Sequence, residues 1–347
     1  MRERIAVVGS GVIGLSIAHE LATADHGVPG RQVTVLSDHD ALDTTSAAAG
    51  AIWFPYAAER SPAVDTMLEA SLRRFRAIAD DADAGVDVRS GIIVERASDP
   101  DRSWTQWVEA APADPAELPA GATGMRTRLP LATMTQYLPW LQEQCHALGV
   151  AVERRTVDDV DALGRDFDTA IVAAGAASGT LLGDDDTVVP IRGQVVRVAN
   201  PGFWEFRIDD EDPAGLTYVL PRRDCLVLGG THEAGETSLE PDPAIEAAIL
   251  ERCTALVPEL AGQPILSRAV GLRPSRERLR IEEVPGRALR VIAAYGHGGA
   301  GMTLSWGTAQ RVAAMLDPEA ALRHGERLRR APAGPEPAEG QGPERRP

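Results

Sequence analysis

Cysteine is scarce in this chain. Cys145, Cys225 and Cys253 are the three present, they stand far apart, and none form a C-x-x-C pair. A disulfide framework is therefore not expected, and neither is a bound metal. Positive charge is also short: 35 basic residues face 51 acidic ones, a formal net charge of −16. Such a balance repels nucleic acid and anionic membranes, so neither is an expected partner. An anionic substrate would then need a local cation, which sets a search criterion. No apolar run approaches the length of a membrane span. No basic–apolar–small leader precedes the first strand, no Ser-Lys-Leu address ends the chain, and no internal repeat is seen. A reducing cytoplasm is the expected location. Residues 331–347, rich in Ala, Pro, Gly, Glu and Arg, cannot bury a core and are expected to be disordered.

What is present organises around the first twenty residues. Ile5-Ala6-Val7-Val8 reads as a buried strand, Gly9-Ser10-Gly11-Val12-Ile13-Gly14 as a turn, and Leu15, Ala18 and Leu21 as a helix face. Strand, G-x-G-x-x-G turn and helix form the dinucleotide fingerprint in its required context. Gly9 permits the tight turn, Gly11 a close pyrophosphate, and Gly14 close helix packing. The helix N-terminus offers free N–H groups to the phosphates. A second strand, Gln32 to Ser37, ends at Asp38, 24 residues past Gly14. The fingerprint asks for an acid roughly 20 residues on, to take the ribose hydroxyls. A carboxylate there argues against a 2′-phosphate; alone, it could equally be a solvated strand end.

The chain has 347 residues, 44% hydrophobic and 25% charged, enough for two interlocked domains. Thr44-Thr45-Ser46 looks like a helix cap, and the alanines to Ala49-Gly50 let something bulky approach. Residues 62–80 and 242–256 read as helices, residues 97–130 as an irregular connection, and residues 135–149 as a helix with Pro139 near its first turn. Strands are expected from Val150 towards Val157, over Asp168 to Ala174-Gly175, and over Ala269 to Pro274. Period-two alternation from residue 190 includes a hairpin turning at Arg222-Arg223-Asp224. Leu289 to Ala294 is a strand, followed by Gly296-His297-Gly298-Gly299-Ala300-Gly301 and a helix from Met302. This second glycine turn, with Gly298, Gly299, Ala300, Gly301, Met302 and Thr303, would face the far end of a dinucleotide. A helix dipole there suits a flavin, which gains negative charge on reduction, better than a nicotinamide. His297 is read as a turn residue.

The architecture expected is an α/β fold: a Rossmann-like domain on a mixed, mainly parallel sheet, plus a second domain on an antiparallel sheet. The first comprises residues 1–56, 131–192 and 286–325. The second comprises residues 57–130 and 193–285.

Taken together, Val7 to Gly14, Thr44 to Gly50 with Trp53-x-Pro55-Tyr56, Tyr137-Leu138-x-Trp140-Leu141, Arg192-Gly193-Gln194, Tyr218-Val219-Leu220-Pro221, Gly271-Leu272-Arg273-Pro274-x-Arg276 and Tyr295 to Thr303 are similar, in order, to the D-amino-acid oxidase family of flavoenzymes. The resemblance runs to about residue 320. It implies non-covalent FAD held by Gly9, Ser10, Gly11, Val12, Ile13, Gly14, Asp38, Thr44, Thr45, Ser46, Ala49, Gly50, Val157, Ala174, Gly175, Gly271, Gly298, Gly299, Ala300, Gly301, Met302 and Thr303. It also turns the search for a cation to Arg273. On composition alone Arg273 could as well pair with Glu282 or Glu283; the family pattern makes it the partner of a substrate carboxylate. Tyr218 would donate to the same carboxylate, and the carbonyl of Gly299 would accept from the substrate amine.

The reaction implied is oxidative deamination of a neutral D-amino acid to a 2-oxo acid, ammonia and hydrogen peroxide, with molecular oxygen as acceptor. Hydride leaves Cα for flavin N5 without a side-chain base. Acidic D-amino acids such as D-aspartate, or glycine and sarcosine, are alternatives on the same scaffold. A dinucleotide-binding protein without catalysis is a more distant one. An acidic side chain would need a second cation, for which Arg222, Arg223 and His232 are candidates, though hairpin arginines are usually solvated. A homodimer is allowed for. Two departures from the family stand out. An extra residue after Gly50 shifts the wall at Trp53 to Tyr56, and the segment from Asn200 to Gly215 is too short for a long mobile lid.

Overall fold

The computed structural model describes residues 2–23, 31–56 and 58–317. The expected tail at 331–347, and the stretch beyond 317 assigned to the first domain, lie outside them. In chain order the elements are β1 (Glu3–Val8), α1 (Val12–Ala22), β2 (Arg31–Ser37), α2 (Thr45–Ala48), α3 (Pro62–Ile78), β3 (Val86–Glu95), β4 (Ala110–Pro112), β5 (Thr123–Ala132), α4 (Met134–Ala147), β6 (Ala151–Arg154), β7 (Thr169–Val172), α5 (Ser178–Leu182), β8 (Val189–Val198), β9 (Phe206–Asp209), β10 (Thr217–Pro221), β11 (Leu226–Gly229), β12 (Glu233–Ala234), α6 (Pro243–Leu256), β13 (Ile265–Val284), β14 (Arg290–His297) and α7 (Gly301–Leu316).

One mixed sheet runs β4-β5-β3-β9-β10-β11-β8-β13-β14-β7-β1-β2-β6, with β12 beside β8. From β14 to β6 every pair is parallel. The inner strands β14, β7 and β1 are near-continuous apolar runs, as burial on both faces requires, whereas the edge strand β6 is largely exposed. The fully buried Leu15 and Ala18 of α1, and Trp306 and Ala309 of α7, belong to the main core beside them. The rest of the sheet is antiparallel except for β3 against β9. The twenty-residue β13 joins the two parts, pairing with β8 along one stretch and with β14 along the next. The expected boundaries at 130/131 and 192/193 fall inside β5 and β8, because these strands are long enough to serve both parts.

Four local expectations are corrected. Residues 97–130 are not an irregular connection throughout: β5 occupies Thr123–Ala132 and pairs with β3 along its whole length. Met125, Thr127, Leu129 and Leu131 alternate inward there, a period that Gly124, two arginines and Pro130 hide. Pro139 sits well inside α4 rather than in its first turn. β6 ends at Arg154, short of Val157. The Arg222–Asp224 turn does link β10 and β11, but its arginines are not solvated. Arg222 is fully buried and donates to Thr135 of α4 and to Asp224, while Arg223 reaches across to Asp87 of β3.

Candidate functional site

A cavity of about 570 Å³ runs from the β1–α1 turn, along α2, to the start of α7 and the antiparallel sheet. Its walls come from both parts of the sheet.

At the first end β1 runs into Gly9, whose amide donates to Leu36 O at 2.9 Å and whose φ is +117°. A Cβ on Gly9 would lie 2.4 Å from Ala173 O, and one on Gly14 would lie 2.0 Å from Gly9 O. Real Cβ atoms cannot occupy either place, so the turn and the helix approach both require glycine. No acid stands in the first turn of α1, so its N-terminus can receive an anion. Gly9, Ser10, Gly11, Val12 and Ile13 line the cavity, whereas Gly14 packs behind it. Ser10 Oγ donates to Ser37 Oγ or His39 O, which fixes the loop carrying Asp38. Asp38 lines the cavity with its side chain about half exposed, and the His39 ring Nε2 lies 3.7 Å from its carboxylate. Arg155, Thr156 and Val157 line the opposite wall, with Ala174 and Gly175.

The middle is walled by α2. Ser46 Oγ accepts the Val12 amide at 3.0 Å, so this hydroxyl caps α1 from a distance of 34 residues. Thr44 Oγ1 donates to Ala41 O, and Thr45 Oγ1 meets both backbone groups of Leu272 on β13. These contacts place Ala49 and Gly50 at the cavity wall, with Gly271 across from Thr45. A methyl on Gly50 would reach Leu220 at 2.6 Å and Tyr218 at 3.3 Å.

At the far end β14 delivers His297, Gly298 and Gly299 to the start of α7. Gly298, Gly299, Gly301 and Met302 line the cavity; Ala300 and Thr303 do not. Ala300 is wholly buried, and Thr303 Oγ1 donates to Phe54 O at 3.0 Å, tying the Trp53–Tyr56 segment to α7. His297 is more than a turn residue: it is buried, lines the cavity and bonds Thr308 Oγ1 at 2.9 Å through Nε2. Burial lowers its pKa to about 4, so it is neutral at physiological pH.

Arg273, Tyr218 and Tyr56 converge beside Gly299. A Cβ there would meet the Tyr56 ring at 2.9 Å and Arg273 Cδ at 3.8 Å. Arg273 Nη1 donates to Thr231 O at 2.7 Å, and the guanidinium has room only because residue 193 is glycine. Among the described residues no carboxylate lies within ion-pair distance of Arg273, and Glu282 and Glu283 pair with Arg280 and Arg290 instead. The guanidinium faces Tyr218, whose phenol is pushed up by burial and pulled back by that charge. Arg192 Nη1 holds Glu233 at 2.5 Å, and Thr231 Oγ1 reaches the same carboxylate at 3.1 Å, which braces the loop that anchors Arg273. Tyr56, Gly193, Arg155 and His39 belong to the cavity but were not picked out as site residues. Tyr56 and Gly193 do lie inside the motifs that carry the resemblance. Nothing local marks Arg155.

Protonation of the buried histidines gives one expected result. His19, edge-on to Trp306, is lowered to about 4 like His297, first by burial and then by Arg74. Between about pH 6.5 and 4 the unfolded chain binds protons at these histidines that the folded chain does not. Stability is therefore full above pH 6.5 and falls as pH falls, by roughly 3 kcal/mol per histidine on completing the window. Thermal melts from pH 7 to 4.5 should show a falling Tm, with a shallower fall in His297→Asn. Parallel profiles for the two proteins would contradict the assignment.

The geometry defines a class: a dinucleotide-binding fold whose cavity continues to a guanidinium that has no carboxylate partner among the described residues and is flanked by tyrosines. Residues 4–315 match the DAO family, FAD dependent oxidoreductase, and the chain belongs to that family. A D-amino-acid oxidase of Rubrobacter xylanophilus is 41% identical over 90% of this chain and 95% of its own. A human D-aspartate oxidase is 33% identical over 90% and 94%. Among solved structures, glycine oxidase from Bacillus cereus superposes with a TM-score of 0.72 at 20% identity, covering 92% and 96% of the two chains, which shows a shared fold. No helix among the described residues is long and apolar enough to cross a membrane.

Proposed function

We propose that this chain is an oxidase of D-amino acids whose side chain carries no negative charge, neutral ones included, with FAD as cofactor and oxygen as acceptor. One observation carries the reading: a guanidinium without a carboxylate partner among the described residues stands beside Gly299, in the cavity that begins at the dinucleotide fingerprint. The relatives named D-amino-acid oxidase support it. The residues present fit FAD: Gly9 and Gly14, whose Cβ would collide with backbone, a helix N-terminus free of acids, and a second glycine turn at the far end. Gly9 to Ile13 and the N-terminus of α1 would hold the pyrophosphate, Asp38 the ribose, and Gly298 to Met302 the ring system. In this division of labour the parallel strands serve the cofactor and the antiparallel ones the substrate.

When bound, the cofactor supplies a two-electron acceptor for the substrate Cα–H bond. The chain supplies orientation. Arg273 grips the carboxylate by two parallel hydrogen bonds, Tyr218 Oη donates to one of the same oxygens, and Gly299 O accepts from the amine. With carboxylate and amine fixed, only one configuration turns its Cα hydrogen towards the ring. His297 is neutral and its Nε2 is engaged by Thr308, so no role in the proton transfer is assigned to it. Ile208, Leu216 and Tyr56 cover the pocket and lower its polarity. Incubation with D-alanine in air should give pyruvate, ammonia and peroxide in equal amounts, and L-alanine none. Products from L-alanine, or none from any D-amino acid, would overturn the proposal.

Oxidation of acidic D-amino acids, which the relative named D-aspartate oxidase fits, gains no second cation from the residues expected to supply one. Arg222 is locked under the hairpin, Arg223 is paired with Asp87, and neither these nor His232 lines the cavity. The segment from Asn200 to Gly215 carries β9, hydrogen-bonded to β10 and β3, and so is built into the sheet. Product should leave faster than turnover in stopped-flow; release that limits turnover would contradict this. Arg273, Tyr218 and both glycine turns come from one chain, so the reading needs no second; a homodimer stays an expectation for light scattering. Three buried free thiols support a cytoplasmic setting.

A further inference from the structure

The stretch Asp209-Asp210-Glu211-Asp212 looks like a solvated run of charge, yet its four acids have different fates. Asp209 is fully buried and gripped by Arg96 at 2.6 Å. Glu211 accepts the amides of Arg96 and Ala97, and Asp212 accepts that of Ala214. Asp210 has no donor from another residue among the described ones, and its side chain is half-buried.

The sheet register says where Asp210 lies. On β9 and β10, Ile208 stands opposite Tyr218, and both line the substrate end of the cavity. The next opposed pair, Asp209 with Thr217, belongs to the other face. There the pairing ends: Asp210 is the first residue past β9 and Leu216 the last before β10, and Leu216 again lines the cavity. Tyr218, Ile208 and Leu216 thus line the cavity, and Asp210 follows Asp209 at the turn just outside that lining. Tyr56 feels both charges: its phenol is pushed up first by burial, pulled down by Arg273 and pushed up again by Asp210. Burial also pushes the Asp210 carboxyl up, as expected where no cation answers it.

We infer that Asp210 is a specificity-determining residue at the side-chain end of the substrate site, and that it favours D-amino acids with a long cationic side chain, such as D-arginine and D-lysine. The inference rests on the reading of Arg273 as the carboxylate anchor. With the carboxylate at Arg273, a substrate side chain runs past Tyr56 and Leu216 towards Asp210. Alanine and valine are too short to reach it. An arginine or lysine side chain reaches it and brings the missing cation, whereas a carboxylate side chain is repelled.

The test compares D-arginine with D-citrulline, which has nearly the same shape without the charge, using anaerobic flavin reduction and steady-state kcat/KM of the holoenzyme. The wild type should prefer D-arginine by about tenfold or more, the size of one charge-assisted contact. In Asp210→Asn, nearly isosteric, that ratio should fall towards one, mainly through KM. A wild-type ratio near one, with D-alanine still reducing the flavin, would overturn the inference alone. So would a ratio unchanged in Asp210→Asn. Failure of every D-amino acid to reduce the flavin would overturn the underlying reading, and this inference with it.

Discussion

Arg273→Ala is expected to keep its FAD and lose nearly all activity. The substitution removes a guanidinium that has no carboxylate partner among the described residues, so no ion pair within the protein offsets the loss. A charge-assisted bidentate contact made to the carboxylate throughout the reaction should cost about 3 kcal/mol or more in kcat/KM, a factor of over a hundred. The cofactor should stay, because Arg273 stands at the substrate end, where its hydrogen bonds go to Thr231 O and to Tyr218. The split between yellow colour and lost turnover is what separates this from unfolding. Unchanged kinetics would remove Arg273 from the site, and a colourless protein would make its role structural.

Gly14→Ala is expected to fail at the earlier stage, retention of the cofactor. The added methyl would lie 2.0 Å from Gly9 O and 3.5 Å from Val7 Cγ1. The first neighbour is backbone and cannot swing aside, so α1 must lift from β1. Overpacking of this kind costs about 3 kcal/mol, and it moves the N–H groups that would meet the pyrophosphate. Flavin absorbance per mole of purified protein should drop steeply, and Tm with it. A fully yellow variant of wild-type Tm would show that the close approach of α1 is not required.

How far the sequence could be read depended on how local each constraint was. Gly9 and Gly14 were legible because each obeys a rule about its own turn or helix, and the structure supplies the atoms they would strike. β7 and β14 were legible as unbroken apolar runs. β5 was hidden because Thr123, Arg126 and Arg128 interrupt its buried positions, with Pro130 near its end. Arg222 misled for a tertiary reason: the hairpin that should expose it is covered by α4, and Thr135 and Asp224 close over the guanidinium. Ser46 showed a further role that its own neighbours do not reveal: it lines the cavity, and its hydroxyl also caps α1. Thr303 and Ala300 lie in a motif that reads as cavity wall, yet helix periodicity turns them inward. Arg273 could not be separated from an ordinary surface cation by its neighbours alone. The family pattern singled it out, and the lack of a carboxylate beside it gives that choice a physical basis.

The most direct measurement is anaerobic titration of the purified yellow protein, following the flavin band near the visible maximum. The account predicts that D-alanine bleaches the band, that L-alanine leaves it untouched, and that readmitted air restores the colour with release of peroxide. Bleaching by both enantiomers, or by neither, would contradict it.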